Sequence, residues 1–180
     1  MGPGDELRTP ENALQPDDRV RLLGRGTLEE HHAVVSAWTL HDGVPQEVRE
    51  IFETARNLYL YSWFVYRFQP VAWFWSWTAV EAALRLRAEI APGQRATLAG
   101  LLASARTKGW IRAEGFARFR ELQSDSNPPT PEAYLESIAV MAPLRNTLGH
   151  GSAMALPWYD SIPEMSRDLI NQLFEPGAVK

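Results

Sequence analysis

A chain of 180 residues in which 45% of the side chains are hydrophobic and 22% are charged can bury a core, and it is too apolar for a disordered protein. It has no cysteine, which excludes disulfides, thiolate-bound metals and cysteine nucleophiles. The net charge of −4 is uneven, since residues 85–120 carry eight basic and two acidic side chains, an excess typical of a solvated helix face or of a surface that binds phosphates.

Residues 1–43 are rich in glycine, proline and charge, and they contain one apolar run, "HHAVVSAWTL". We expect these residues to form an N-terminal arm of low order that covers part of the core. The first residues, "MGPGDELRTPENALQPDD", are polar and acidic and lack the apolar stretch of a signal peptide. A cytoplasmic location is therefore expected.

The pattern becomes helical from Val44 onwards, with apolar residues spaced three and four apart as far as about Val65. Pro70 is expected to end this helix, and a second helix is predicted from about Val71 to Ile90. A third helix is predicted in "QRATLAGLLASARTKG" and a fourth in "WIRAEGFARFRELQ".

A loop, "SDSNPPTP", precedes a fifth predicted helix from about Glu132, with Thr130 or Ser126 as the capping residue. This helix runs into the segment "MAPLRNTLGHGSA". A final helix is predicted in "YDSIPEMSRDLINQLF", with Asp160 or Ser161 as its cap and Pro163 in its first turn. No stretch alternates like a strand, so the sequence predicts an all-α domain over residues 44–176.

The aromatic run from Leu58 to Leu84 is interrupted by Arg67, Gln69 and Pro70. The apolar pieces are about ten residues long, whereas a membrane-spanning helix needs about 20. We expect two buried helices with more aromatic surface than one small core can hide, and a homodimer interface would cover the excess. The helical spacing of three tryptophans in this region predicts that they lie in the core and do not stack on bases: Trp63, Trp73 and Trp77.

Arginine and histidine at a spacing of five to seven residues form three pairs in this chain, at two sites, and the pattern alone is a weak signal. Arg25 precedes His31 and His32 in the arm, where nothing fixes their geometry, and Arg145 precedes His150 at the end of a patterned helix. A catalytic pair needs rigid support, which favours the second site. The alternative is an ordinary helix C-terminus, with a histidine favoured by the dipole and a glycine stop.

Helical geometry relates the side chains of this second site to one another. Asn146 and His150 lie one turn apart on one face, whereas Arg145 and His150 lie about 140° apart. Arg145 and His150 therefore converge only if the arginine side chain curls across, if the helix loosens at Gly149, or if two copies of the chain share one site. Pro143 already weakens the preceding turn. We expect no metal site in the arm, because adjacent histidines rarely share one ion.

The segment "PLRNTLGHG" resembles the Arg-Asn-x3-His motif of HEPN (higher eukaryotes and prokaryotes nucleotide-binding) domains. The segment "VAWFWSWTAVEAALRLRAEI" is similar to the second helix of that family, and "TLAGLLASARTKGWI" to a short helix of some members. The resemblance covers about residues 45–175. It implies a HEPN-like bundle of four to six helices, a homodimer, and a metal-independent endoribonuclease of the toxin or defence type without a cofactor.

The resemblance also implies roles for individual residues. The 2′-hydroxyl of the RNA would attack the phosphate, with His150 as the acid or base. Arg145 would bind the phosphate, and Asn146 would orient His150 or a phosphate oxygen. Glu81 would point toward the motif, although its spacing equally suits an ion pair with Arg85. From the basic block, four arginines are expected to bind RNA: Arg85, Arg87, Arg106 and Arg112.

Two other functions remain open at the level of the sequence. Some HEPN domains lack activity and bind RNA or assemble complexes, and a structural helical dimer is the third candidate. An antitoxin or a defence-system protein is an implied partner. One subgroup, which a nucleotidyltransferase silences, has a tyrosine two residues after the histidine, where this chain has Ser152. That departure argues against such a partner.

Overall fold

The computed structural model describes residues 6–20, 24–149 and 161–175, and the side chains of these residues except those of 141–149. These residues form seven α-helices and no strand, which confirms the predicted all-α fold. A short 3₁₀ helix, Ala113–Gly115, precedes α5. The helices are α1 (Leu28–Ser36), α2 (Gln46–Tyr61), α3 (Phe68–Arg87), α4 (Leu98–Thr107), α5 (Ala117–Leu122), α6 (Pro131–Gly149) and α7 (Ile162–Leu173).

Helix α3 lies at the centre of the molecule and packs against α2, α4, α6 and α7. Its Trp73 and Trp77 are each 1% exposed, and Trp63 just before it is also buried. The core role predicted for the three tryptophans is therefore confirmed. Most of the aromatic run is covered within one chain, which leaves Tyr61, Phe68 and Val71 as its most exposed apolar side chains.

The predicted boundary between the first two helices is wrong. Helix α2 ends at Tyr61, and α3 begins at Phe68, so that Pro70 is the third residue of α3 instead of a break before it. The first turn of a helix tolerates proline because its backbone N–H groups have no partner within the helix.

The predicted fourth helix is also divided. Phe116 has an extended backbone (φ −93°, ψ 127°) and is fully buried, so the 3₁₀ helix ends before it and α5 begins after it. Burial of this one aromatic ring in the core outweighs the continuous helical pattern of the sequence.

Two predicted features of helix starts are confirmed. Thr130 accepts a hydrogen bond from the backbone of Ala133 at 3.2 Å and so caps α6. Pro163 lies in the first turn of α7, but Ser161, at the capping position, makes no side-chain hydrogen bond there. The other candidate cap, Asp160, lies outside the described residues.

The segment predicted as a low-order arm contains helix α1. Thr27 and Glu30 form a capping box at its start, since each side chain accepts a hydrogen bond from the backbone of the other residue. The helix buries His31 and Val35 against the core. Among the described helices, none has the length and apolarity that crossing a bilayer requires.

Candidate functional site

Helix α6 carries the first two residues of the Arg-Asn-x3-His motif. It is helical through Gly149, so Arg145 and Asn146 belong to its last described turns, and Pro143 is accommodated within it. The side chains of Arg145 and Asn146 and the whole of His150 lie outside the described residues. What the structure gives is the support of this helix and the direction in which it runs.

The first half of α6 is anchored in the core. Tyr134 packs against Phe116 and Phe119, with ring centroids 5.5 and 5.2 Å away, and Ile138 is buried one turn later. Burial, with the nearby charge of Asp168, raises the pKa of Tyr134 to about 12. Its phenol therefore stays protonated at neutral pH and acts here as a packing group.

Glu81 and Arg85 form the i,i+4 ion pair that their spacing allows. The Nε of Arg85 donates to the Oε1 of Glu81 at 3.1 Å, and both side chains are partly buried. The Arg85 guanidinium also donates to the backbone oxygens of Gln94 (3.3 Å) and Ala96 (2.8 Å). The pair thereby joins the end of α3 to the loop that leads into α4.

The contacts between α4 and α6 fit an antiparallel alignment. Arg106 near the end of α4 faces Glu136 near the start of α6, whereas Leu102 and Ala103 share a groove with Ile138 and Ala139, further along α6. Continuing this alignment at 1.5 Å per residue brings the start of α4 toward the Arg145–Asn146 end of α6. The Glu81–Arg85 pair lies at that same end of α4.

The four arginines predicted to bind RNA do not share one environment. Arg85 is partly buried and is bound to Glu81 and to the loop before α4. The Arg87 guanidinium lies over the Trp110 ring, 5.1 Å from its centroid. Arg106 is 3.6 Å from Glu136, and Arg112, which is 69% exposed, is 3.7 Å from Glu175. Acidic residues from outside the basic block thus partly neutralise it.

A cationic cluster forms around Trp110 at the far end of α4. The Nζ of Lys108 lies 4.5 Å from the centroid of the Trp110 ring, and Arg87 approaches the same ring. Gly109, between Lys108 and Trp110, adopts φ +66° and closes α4. This cluster was not predicted from the sequence, although "KGW" directly after an apolar helix was a usable signal.

The histidines of the N-terminal segment have structural contacts. His31 is fully buried, donates from Nε2 to the Tyr59 backbone oxygen at 2.9 Å and stacks on the Tyr59 ring. His32 faces Ser36, and His41 binds the backbone of Asn171. The position of the His31 side chain is therefore fixed, and packing in the core is what fixes it.

Comparison of the chain with models of known protein families, with curated proteins and with solved structures finds no match. The resemblance to HEPN domains therefore stays a prediction from the sequence.

Proposed function

We propose that this protein is a metal-independent endoribonuclease that acts as a homodimer, with Arg145, Asn146 and His150 of the two chains forming its active site. Two observations support the proposal: the Arg-Asn pair ends a helix, α6, whose first half is anchored in the core, and the Glu81–Arg85 pair of α3 lies beside the start of α4, a helix that packs against α6. These elements would surround a scissile phosphate with cations and with one carboxylate.

In the proposed reaction, the 2′-hydroxyl of the RNA attacks the adjacent phosphorus and the 5′-oxygen of the next nucleotide leaves. His150 takes up or delivers a proton, because imidazole titrates near neutral pH. Arg145 stabilises the charge that develops on the phosphate through paired N–H donors. The products are a 2′,3′-cyclic phosphate and a free 5′-hydroxyl.

A second candidate function is a silent RNA-binding or regulatory module of the same family. One observation favours it: the Arg85 guanidinium already donates to Glu81 and to two backbone oxygens, which leaves it fewer donors for a phosphate. Only cleavage assays separate the two candidates.

The deciding experiment compares His150→Ala with wild type on single-stranded RNA. We expect cleavage to fall about 10²- to 10⁴-fold while the circular dichroism spectrum is retained. His32→Ala is the matched control, since His32 is exposed and its side chain hydrogen-bonds to Ser36, away from the motif. RNA with a 2′-deoxy nucleotide at the cut site should resist cleavage, and chelators should have no effect. Wild-type protein that cuts no RNA, or equal activity of His150→Ala, would reject the proposal.

A mixing experiment tests whether the site is shared between chains. Arg145→Ala and His150→Ala are each expected to be inactive. If Arg145 of one chain serves His150 of the other, half of the randomly mixed dimers contain one complete site, so about a quarter of the wild-type activity should return. No recovery would place both residues in one chain, and a stable monomer near 20.3 kDa in light scattering would exclude a shared site.

A further inference from the structure

A groove of about 400 Å³ lies between α4 and α6, outside the proposed active site. This volume is within the range of small-molecule sites. Its deep wall is formed by the buried residues Leu102, Ile111 and Ile138 together with the half-buried Leu135. Two small residues, Ala103 and Ala139, keep its mouth open to solvent.

The polar groups of the groove lie at one end of it. Arg106 supplies the only positive charge among the lining residues, and the hydroxyl of the neighbouring Thr107 donates to the Ala103 backbone oxygen. Arg106 faces Glu136 at 3.6 Å, which is longer than a good hydrogen bond. Since Glu136 is 67% exposed, it can turn into water and leave Arg106 to another anion.

We propose that this groove binds a small molecule with an unbranched apolar body and one anionic head group, of the kind represented by a medium-chain carboxylate. The apolar body would lie on Leu102, Ile111 and Ile138, and the carboxylate would accept hydrogen bonds from Arg106. One cation, Arg106, beside the buried side chains of Leu102, Ile111 and Ile138 complements an anionic head group on an apolar body and favours that ligand over a neutral or cationic one. The inference does not depend on the ribonuclease proposal.

The test is calorimetric titration of the full-length protein with decanoate, decanol and decylammonium, each kept below its micelle concentration. We expect decanoate to bind one molecule per chain, decanol to bind at least about tenfold more weakly, and decylammonium not to bind. Arg106→Gln should weaken decanoate to the level of decanol. Arg118→Gln, which removes an exposed arginine paired with Glu121 outside the groove, should leave decanoate binding unchanged.

Two further variants test separately the charge beside Arg106 and the open shape of the groove. Glu136→Gln should tighten decanoate binding, because it removes the competing anion. Ala103→Leu combined with Ala139→Leu should abolish binding of decanoate and of decanol, and both positions are exposed, so folding should be retained. The proposal would be overturned if decanoate and decanol bound equally well, or if the leucine variant still bound decanoate. It would also be overturned if inorganic phosphate bound as tightly as decanoate. It would also be overturned if the leucine variant changed only the mass in light scattering, since a second chain would then occupy the groove.

Discussion

A buried carboxylate, Asp17, fastens the N-terminal segment to the turn between α2 and α3. Asp17 is 2% exposed, and its carboxylate accepts hydrogen bonds from the Arg19 side chain at 2.8 Å and from the backbone of Tyr66 at 3.2 Å. Its own backbone N–H donates to the Trp63 oxygen at 2.9 Å. Burial on its own would raise the pKa of Asp17, but the hydrogen bonds from Arg19 and Tyr66 and the charge of Arg19 lower it below its ordinary value.

This lowered pKa makes the contribution of Asp17 to stability depend on pH. The folded state favours the charged carboxylate, so the contribution is complete above the ordinary pKa of 3.8 and is lost as the pH falls through the lower folded value. Asp17→Asn should therefore lower the free energy of unfolding by about 1–3 kcal/mol at pH 7. Urea denaturation from pH 7 to pH 2.5 should show this difference shrinking below about pH 4. Asp18→Asn, one residue away at an exposed position, is the control, and a difference that stayed constant with pH would contradict the assignment.

Gly115 is required by the close approach of the Gln172 side chain. A Cβ at Gly115 would lie 2.1 Å from the Cδ of Gln172, whose Oε1 accepts a hydrogen bond from the Arg112 backbone at 2.8 Å. Gln172 is buried, so it cannot move away without losing that bond. We expect Gly115→Ala to cost about 1–3 kcal/mol of stability in thermal denaturation. Adding Gln172→Ala should reduce that cost, and strictly additive effects would show that the two residues do not interact.

At the scale of the elements, α3 and α4 end in the same way but with different residues. In α4, Gly109 (φ +66°) donates to the Arg106 oxygen and Trp110 donates to the Ala105 oxygen, a Schellman motif. In α3, Glu89 (φ +54°) and Ile90 make the equivalent bonds to Leu86 and Arg85. Glu89 is the only described residue other than glycine with a positive φ.

The two helix ends should respond oppositely to substitution. Glu89→Gly should stabilise the protein by about 0.5–1 kcal/mol, because glycine removes the cost of the left-handed conformation. Gly109→Ala should destabilise it by about 1–2 kcal/mol through the backbone alone, since no atom lies within 4 Å of the added carbon. Ala88→Gly, at a negative φ one residue before Glu89, should be destabilising. A loss of stability in Glu89→Gly would show that the glutamate side chain contributes to the fold.

The helices could be predicted from the sequence because their apolar periodicity and their proline and glycine signals are local. Their ends were less predictable, since the position of Pro70 within α3 and the interruption at Phe116 depend on packing between helices. The ion pair of Glu81 with Arg85 followed from a spacing of four residues. The pairs of Arg106 with Glu136 and of Arg112 with Glu175 did not, because the fold brings them together from distant parts of the chain.

At the scale of the whole molecule, folding redistributes the charge that the sequence segregates. The basic block has a net charge of +6, from eight basic and two acidic residues, but acids from other segments approach its arginines. Any RNA that binds the block must compete with these carboxylates. We therefore expect RNA affinity to fall with salt, but with fewer counterions released than eight basic residues would give.

Removing one competing carboxylate should strengthen RNA binding. Glu175→Gln frees Arg112, so we expect tighter binding and a plot of log affinity against log salt that is steeper by about one. Arg112→Gln should have the opposite effect. Glu50→Gln, which makes the same charge change on α2 beside Gln46, is the matched control and should leave the slope unchanged. The measurement is fluorescence anisotropy of a labelled RNA from 50 to 300 mM salt. A flat salt response, or an equal gain from Glu50→Gln, would show that the basic block is a solvated face and that only the net charge matters.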